Sequence, residues 1–344
     1  MNAFFQKYIL NFKQASGTSR GVLRTKETYF LKLVDGNKVG YGECAVFKGL
    51  SSDDRPDYEE KLAWLCENIN KNIDELLAEL IEFPSIQFGL EQAFLSLKRE
   101  NPYELYPSKF IKSEDSIKIN GLIWMGSEAF MKQQISEKIK AGFSTLKLKI
   151  GSIDFETEIS LLKSIRNEFS SAEIELRVDA NGGFLPSEAM EKLKRLSDLE
   201  IHSIEQPIKQ GQIDEMAQLC AKTPIPIALD EELIGVFNVT DKQEILQTIK
   251  PQYIILKPSL VGGFKGSAEW IQLAETQNTG WWITSALESN IGLNAIAQWT
   301  YTLKNKLPQG LGTGSLFTNN FESPLEVKGE NLLYNNNKKW NFKI

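Results

Sequence analysis

The sequence predicts an α/β protein, a barrel of repeated strand–helix units preceded by a smaller α+β domain. Three observations carry this. From about residue 116, short apolar runs alternate with amphipathic stretches, and the strand ends recur every 25 to 30 residues, the rhythm of a (β/α)8 barrel. No GxGxxG or P-loop follows any of these runs, so a doubly wound open sheet lacks its ligand fingerprint. The first hundred-odd residues instead set strands first and helices after, the mark of a separate α+β unit.

In chain order, residues 4–13, 21–34 and 38–44 read as strands, with Gly40 and Gly42 interrupting the last. The N-terminus is broken by Lys7 and Lys13 and lacks a small-residue cleavage site, so it reads as a strand and not as a signal peptide. Residues 57–82 carry Leu62, Leu65, Cys66, Ile69, Ile73, Leu76, Leu77 and Leu80 at helical spacing. A second helix, about 84–99, follows Pro84. The barrel runs are 116–120, 145–150, 174–179, 201–205, 225–230, 253–257, 281–285 and a weak one near 307–312. The expected division is 1–115 for the α+β domain, 116–312 for the barrel, and 313–344 for a segment that leaves the barrel and packs back on the first domain.

Composition narrows the function. A net charge of −6 gives no footprint for nucleic acid or anionic lipid, and no apolar run approaches the ~18 residues of a membrane span. Cys44, Cys66 and Cys220 are far apart and without CxxC spacing, which fits a reducing cytoplasm. His202 is the single histidine, so two-histidine metal sites and HExxH chemistry are excluded. Acid–base work falls to Lys, Asp, Glu or Tyr.

The informative feature is where charges fall. Each inner strand is apolar until its C-terminal end, where Lys147 and Lys149, Arg177 and Asp179, Glu205, Asp230 and Lys257 appear. One charged strand end is ordinarily a solvated terminus; five consecutive ones at the catalytic face of a barrel are not. Residues i and i+2 share a face, so Lys147 and Lys149 point together, and an outward orientation would bury two unpaired ammonium groups. Strands three, four and five are neighbours, so Asp179, Glu205 and Asp230 converge. Three close carboxylates call for a cation, and an all-oxygen set suits Mg²⁺ best and Mn²⁺ next. Strands two and six lie opposite in a ring of eight, so Lys149 and Lys257 face each other across a substrate. Beside a dication their pKa values are expected to fall, making a neutral amine available as base. A dication beside a Lys base is what abstraction of a proton α to a carboxylate requires.

These residues carry a family resemblance. Thr145-Leu-Lys-Leu-Lys149 resembles the KxK motif of the muconate-lactonizing branch of the enolase superfamily. Arg177-Val-Asp-Ala-Asn181, Ile204-Glu-Gln-Pro207, Ala228-Leu-Asp-Glu231 and Leu256-Lys-Pro258 resemble its three metal-ligand strands and its opposite-lysine strand. The resemblance covers essentially the whole chain and implies an α+β capping domain on a modified (β/α)7β barrel. Within the branch, Gly17–Gly21, Asn120–Gly126, Ser285–Gly292, Gly312–Phe317 and Arg177 are similar to the o-succinylbenzoate synthase family. That resemblance implies dehydration of 2-succinyl-6-hydroxy-2,4-cyclohexadiene-1-carboxylate to 2-succinylbenzoate, a step of menaquinone synthesis. It implies Lys149 as base and then proton donor, Lys257 as the cation facing the enediolate, and Asp179, Glu205 and Asp230 as Mg²⁺ ligands. Lys147, Arg20, Arg177 and Ser285 are the expected substrate contacts, with Arg20 in a loop over the barrel mouth.

Position 231 is Glu, so the third ligand can be argued either way; alternation favours Asp230. His202, three residues before Glu205, is expected on the opposite strand face. Gly262-Gly263 reads as a tight turn before a helix, or as an anion cradle. The rival activity is an N-acylamino acid racemase or dipeptide epimerase, since opposed lysines also serve two-base racemisation. A non-catalytic binding barrel has no use for the full lysine and carboxylate set. The partner expected is a small carboxylate; oligomeric state is left open.

Overall fold

The computed structural model describes residues 1–18, 21–151 and 153–343. The chain opens with an antiparallel sheet of β1 (Asn2–Thr18), β2 (Gly21–Asp35) and β3 (Lys38–Cys44), in that order. Three helices follow, α1 (Tyr58–Asn68), α2 (Ile73–Glu79) and α3 (Pro84–Leu97). Alternation puts Tyr29, Leu31 and Leu33 on one sheet face, packed against Leu62, Leu65, Leu76, Leu80, Ile86 and Leu90. The single helix expected over 57–82 is two. The Asn72 side chain accepts from Asp74 N and starts a new helix, which apolar spacing does not register. The glycines that interrupt the third strand have a packing cause. A Cβ on Gly42 would lie 1.9 Å from Gly89 O, so α3 rests directly on the β3 backbone.

The barrel begins after β4 (Ile117–Lys118), with β5 (Gly121–Ile123) and α4 (Glu128–Lys140). Next come β6 (Thr145–Lys149), α5 (Phe155–Glu168), β7 (Glu175–Asp179) and α6 (Pro186–Ser197). Then follow β8 (Ser203–Glu205), α7 (Ile213–Lys222), β9 (Ile227–Leu229), a 3-10 turn (Glu231–Leu233) and α8 (Val239–Ile249). The series ends with β10 (Tyr253–Leu256), α9 (Gly263–Thr276), β11 (Gly280–Ile283) and α10 (Asn290–Leu303). Strands β5 to β11 form one parallel sheet in sequence order. Residues 309 and 310 close it, Gln309 bridging Ile119 and Gly310 bridging Thr284, both in parallel. This short eighth element is the weak run near 307–312. The first strand differs from expectation. Residues 121–123, and not 116–120, pair with β6, because Ile117 and Lys118 are taken by an antiparallel partner near the C-terminus.

That partner is the hairpin β12 (Leu325–Lys328) and β13 (Asn331–Tyr334). The rest of the C-terminal segment meets the N-terminal sheet. Phe317 packs on Phe12, and Phe321 and Phe342 pack on Phe30. Among the described residues no helix is long and apolar enough to cross a membrane.

Candidate active site

Lys147, Lys149, Asp179, Glu205, Lys257 and Ser285 line one cavity of about 560 Å³ at the C-terminal strand ends. Strand register brings them together. Lys149 is the pairing partner of Asp179, and Asp179 of Glu205. Since β6 and β10 are separated by β7, β8 and β9, Lys149 and Lys257 stand on opposite walls with the acid-bearing strands between them. Phe47 and Leu50 from the N-terminal domain, with Trp124, Leu287 and Leu316, supply apolar walls.

The acids are held by amines. Lys147 Nζ lies 2.9 Å from Asp179 Oδ2 and also contacts Glu205. Lys149 Nζ donates to Asp179 Oδ2 at 2.9 Å and to Asn181 Oδ1 at 2.7 Å. Lys257 pairs with Asp230, which is buried behind it. Burial alone would raise the Asp179 carboxyl, but Lys147 and Lys149 hold it well below the ordinary carboxylate range. Asp230 is lowered against its burial by Lys257. Glu205 goes the other way: burial and the neighbouring Asp179 push it well up, and Lys147 offsets only part. Burial would lower Lys147 and Lys257, yet the surrounding carboxylates hold both above the usual amine value. Lys257 is thus held up while side chains alone balance the charge; the depression expected of the opposed lysines belongs to the state with a dication bound.

Among the described residues no three carboxylate, imidazole or thiol groups are drawn into a preformed ligand shell. Ammonium groups stand between the acids instead. The donor set nonetheless fits a hard divalent cation. Glu205 meets the Lys147 ammonium through Oε2, while its Oε1 is fully buried and accepts no hydrogen bond, leaving an oxygen lone pair open to a cation. Its neighbours offer oxygen and no sulfur or imidazole, the chemistry of Mg²⁺ and Mn²⁺.

The other expected contacts divide. Ser285 Oγ shares a 2.6 Å hydrogen bond with Thr313 Oγ1 on the cavity wall. Arg20 lies outside the described residues. Arg177 is a correction: it is absent from the cavity wall. It donates to Glu175 and to Pro308 O, and its guanidinium lies 4.5 Å from the Trp282 ring centroid. It shares a face with Asp179 but sits two residues deeper, in the barrel floor. His202 is also there, with its ring 5.3 Å from that of Tyr253. It precedes β8, so strand alternation does not govern it. At Gly262-Gly263 the α9 N-terminus does hold an anion, the chain's own Glu91. Its carboxylate accepts from Phe264 N and Lys265 N.

Two residues quoted within the motifs carry more than was assigned to them. Asn181 links Lys149 to Glu231, donating to Glu231 Oε1 at 3.0 Å. Gln206 Oε1 accepts from Asp230 N and Glu232 N. Both have positive φ, 44° and 39°, a strained backbone of the kind held at functional sites. The signal available was an amide just beyond a strand-end acid.

Comparisons with known proteins place the chain in a family. Residues 131–335 match the family model described as enolase C-terminal domain-like. The chain is 45% identical to the o-succinylbenzoate synthase of Desulfotalea psychrophila, across 96% of this chain and 98% of that protein. A crystal structure of MenC from Desulfotalea psychrophila superposes with a TM-score of 0.86 at 42% identity, covering 97% of this chain and 99% of that one. An L-Ala-D/L-Glu epimerase of Bacillus subtilis is 30% identical over 56% of this chain and 52% of that protein.

Proposed function

The chain belongs to the enolase superfamily and, within it, to the o-succinylbenzoate synthase family, and from that premise we propose how its residues divide the work of the dehydration. The enzyme is a carbon–oxygen lyase. Its substrate is 2-succinyl-6-hydroxy-2,4-cyclohexadiene-1-carboxylate and its product 2-succinylbenzoate. The observation that carries the reading is the pair Lys149 and Lys257 on opposite walls of one cavity, with three buried carboxylates on the strands between.

The proton to be removed sits on the ring carbon that bears the carboxylate. Lys149 takes it, and the C–H electron pair enters the ring and carboxylate as an enediolate. Lys257, on the other wall, presents a positive charge to that anion and transfers no proton. The enediolate then expels hydroxide from the adjacent carbon, and Lys149 returns its proton to the departing oxygen. One C–H and one C–O bond break, the ring becomes aromatic, and water leaves. Both events occur on the face of Lys149, so the elimination is syn. Asp179, Glu205 and Asp230 are the proposed Mg²⁺ ligands, with Mn²⁺ an alternative. The ion, when bound, supplies Lewis-acid polarisation of the substrate carboxylate. Lys147 and Ser285 are the proposed contacts to the substrate's carboxylate and succinyl end. The reducing cytoplasm is the proposed setting, in keeping with three free cysteines.

The test is turnover of the cyclohexadiene carboxylate with and without Mg²⁺, beside solvent-deuterium exchange at the α-carbon of N-succinyl amino acids. The expected result is Mg²⁺-dependent aromatisation. Fast exchange with negligible dehydration hands the site to the racemase and epimerase reading, which the opposed lysines also serve.

A further inference from the structure

The hydrogen-bonded sheet continues past the ends of the three acid-bearing strands through one residue. Gln206, next after Glu205, is fully buried. Its backbone N–H donates to Ala228 O at 2.9 Å, the regular next rung toward β9, and its carbonyl accepts from Gly182 N at 2.7 Å in the loop after β7. The backbone then turns, with φ at +39°, and the side chain takes the place of the rung that the turn removes. Its Oε1 accepts from Asp230 N at 3.2 Å and from Glu232 N at 3.3 Å. Its Nε2 donates to Ile208 O at 3.1 Å and to Glu232 Oε2 at 3.0 Å. Two acceptor lone pairs and two donor hydrogens are all that a carboxamide has, so its capacity is filled. The orientation is fixed as well, because Oε1 meets only N–H groups and Nε2 only oxygens. Glu232, itself buried and tied through Oε1 to Gly211 N at 2.8 Å, holds it that way. A residue with a side chain keeps a left-handed conformation only where its surroundings impose it.

We propose that Gln206 is the positioning residue that sets the spacing of Asp179, Glu205 and Asp230. Its bonds reach the segments that follow all three acids, and it is not among the residues that line the cavity. The consequence is selectivity for a small dication. Mg²⁺ demands near-ideal octahedral oxygens at ~2.0–2.1 Å, whereas Ca²⁺ accepts ~2.3–2.6 Å and a looser arrangement. Carboxylates joined by one saturated brace resist spreading to fit the larger ion. Groups that orient metal ligands are typically worth about 10- to 100-fold in affinity. That the braced acids take a dication rests on the proposed function; the brace does not.

The experiment uses the full-length protein and three variants: Gln206→Met, Gln206→Glu, and Gln206→Glu combined with Glu232→Gln. Mg²⁺ and Ca²⁺ binding are measured by calorimetry, and amide hydrogen exchange is followed at residues 230–233. Gln206→Met removes all four side-chain bonds. It should raise the Kd for Mg²⁺ by about 10- to 100-fold and that for Ca²⁺ by less than about threefold. It should also speed exchange at Asp230 and Glu232, which lose their acceptor. Gln206→Glu sharpens the test. A negative charge added beside the acids would by itself tighten a dication. Yet a carboxylate at that position faces Glu232 Oε2 and Ile208 O with no proton to offer, so Mg²⁺ affinity should fall. Adding Glu232→Gln supplies the missing donor and restores the net charge, so the combined variant should bind Mg²⁺ about tenfold tighter than Gln206→Glu alone. Unchanged Mg²⁺ affinity or equal loss for both ions in Gln206→Met, tighter Mg²⁺ in Gln206→Glu, a combined variant no better than Gln206→Glu, or unaltered exchange at 230–233 in Gln206→Met would each overturn the brace. If Gln206→Met does not fold, the other two variants read by calorimetry decide. Failure of the unmodified protein to bind Mg²⁺ refutes the ligand assignment instead, and exchange at 230–233 still judges the brace.

Discussion

Lys149 and Lys257 occupy equivalent strand ends on opposite walls, yet their contacts already distinguish them. Lys149 donates to Asp179 and to Asn181, which donates in turn to Glu231. Lys257 is paired with Asp230 alone among the hydrogen bonds described. A base must gain and lose a proton, whereas a counter-charge needs only to stay positive. Lys149→Ala should therefore lower kcat by roughly 10² to 10⁴-fold or more, and Lys149→Arg no less, since Arg does not deprotonate. Lys257→Arg should keep measurable dehydration. Steady-state rates of the three variants check this, and equal loss in both Arg variants would end the one-base mechanism. The ligand assignment is tested at neighbouring positions. Asp230→Asn should impair Mg²⁺ binding, measured by calorimetry, more than Glu231→Gln, whose carboxylate engages Asn181 instead. The reverse order would move the third ligand to Glu231. At this scale the charged strand ends were legible because an ionisable group ending an apolar run has few structural excuses. Arg177 is expected at the substrate through the family resemblance; alternation places it on the face of Asp179 as read, but two residues deeper, where it bonds Glu175 and Pro308 O and packs on Trp282.

Helix α3 shows how an element can join two domains through its side chains. Its first turn is fixed by Asp53, whose Oδ2 accepts from Ser85 N at 2.8 Å and Ser85 Oγ at 2.6 Å. One turn and a half later, Glu91 on the same helix caps α9 of the barrel. A Cβ on Gly263, whose φ is +71°, would come within 2.2 Å of that carboxylate, so the glycine is required twice over. Asp53 is fully buried, its Oδ1 lacks a partner, and burial pushes its carboxyl up to about 6 despite the Ser85 bonds. A carboxyl raised in the folded state favours folding while it is protonated. Its contribution is complete below pH ~4 and is lost as pH rises through about 6. Asp53→Asn keeps an acceptor for Ser85 without the charge. Urea unfolding from pH 4 to 7 should show the unmodified protein losing about 3 kcal/mol relative to this variant, two pK units of differential protonation. A difference independent of pH would mean that Asp53 is not raised. Local pattern predicted helices on either side of Pro84 but fused α1 and α2, because apolar spacing continues through the break at Asn70–Asn72. It also could not foresee that β13 takes Ile117 and Lys118, a pairing more than two hundred residues distant in sequence.

The whole molecule is stitched at more than one seam, and this bears on how it unfolds. Glu43 caps α10, Glu91 caps α9, and the C-terminal segment lays Phe317 on Phe12 and Phe342 on Phe30. The barrel rhythm was readable since each βα unit repeats the same local pattern, but these seams join residues far apart and leave no periodic trace. Phe342 is the clearest of them. It is 7% exposed and meets Phe30, Tyr41 and Phe321 edge-on, with ring centroids 5.0, 5.1 and 4.6 Å away. Such aromatic contacts add to the burial of the ring itself. Truncating a buried phenylalanine costs about 3–5 kcal/mol where the site cannot collapse, and sheet residues on one side and a C-terminal strap on the other leave little freedom to collapse. Phe342→Ala should lower the thermal midpoint by several degrees. The number of transitions is the sharper readout. With Glu43 and Glu91 still joining the N-terminal domain to the barrel, far-UV circular dichroism and tryptophan fluorescence should fall together at one lower midpoint. The kcat measured below that midpoint should be unchanged, because Phe342 is not among the residues that line the cavity. If the two probes separate in the variant, the C-terminal strap is what couples the domains and the two carboxylate caps do not.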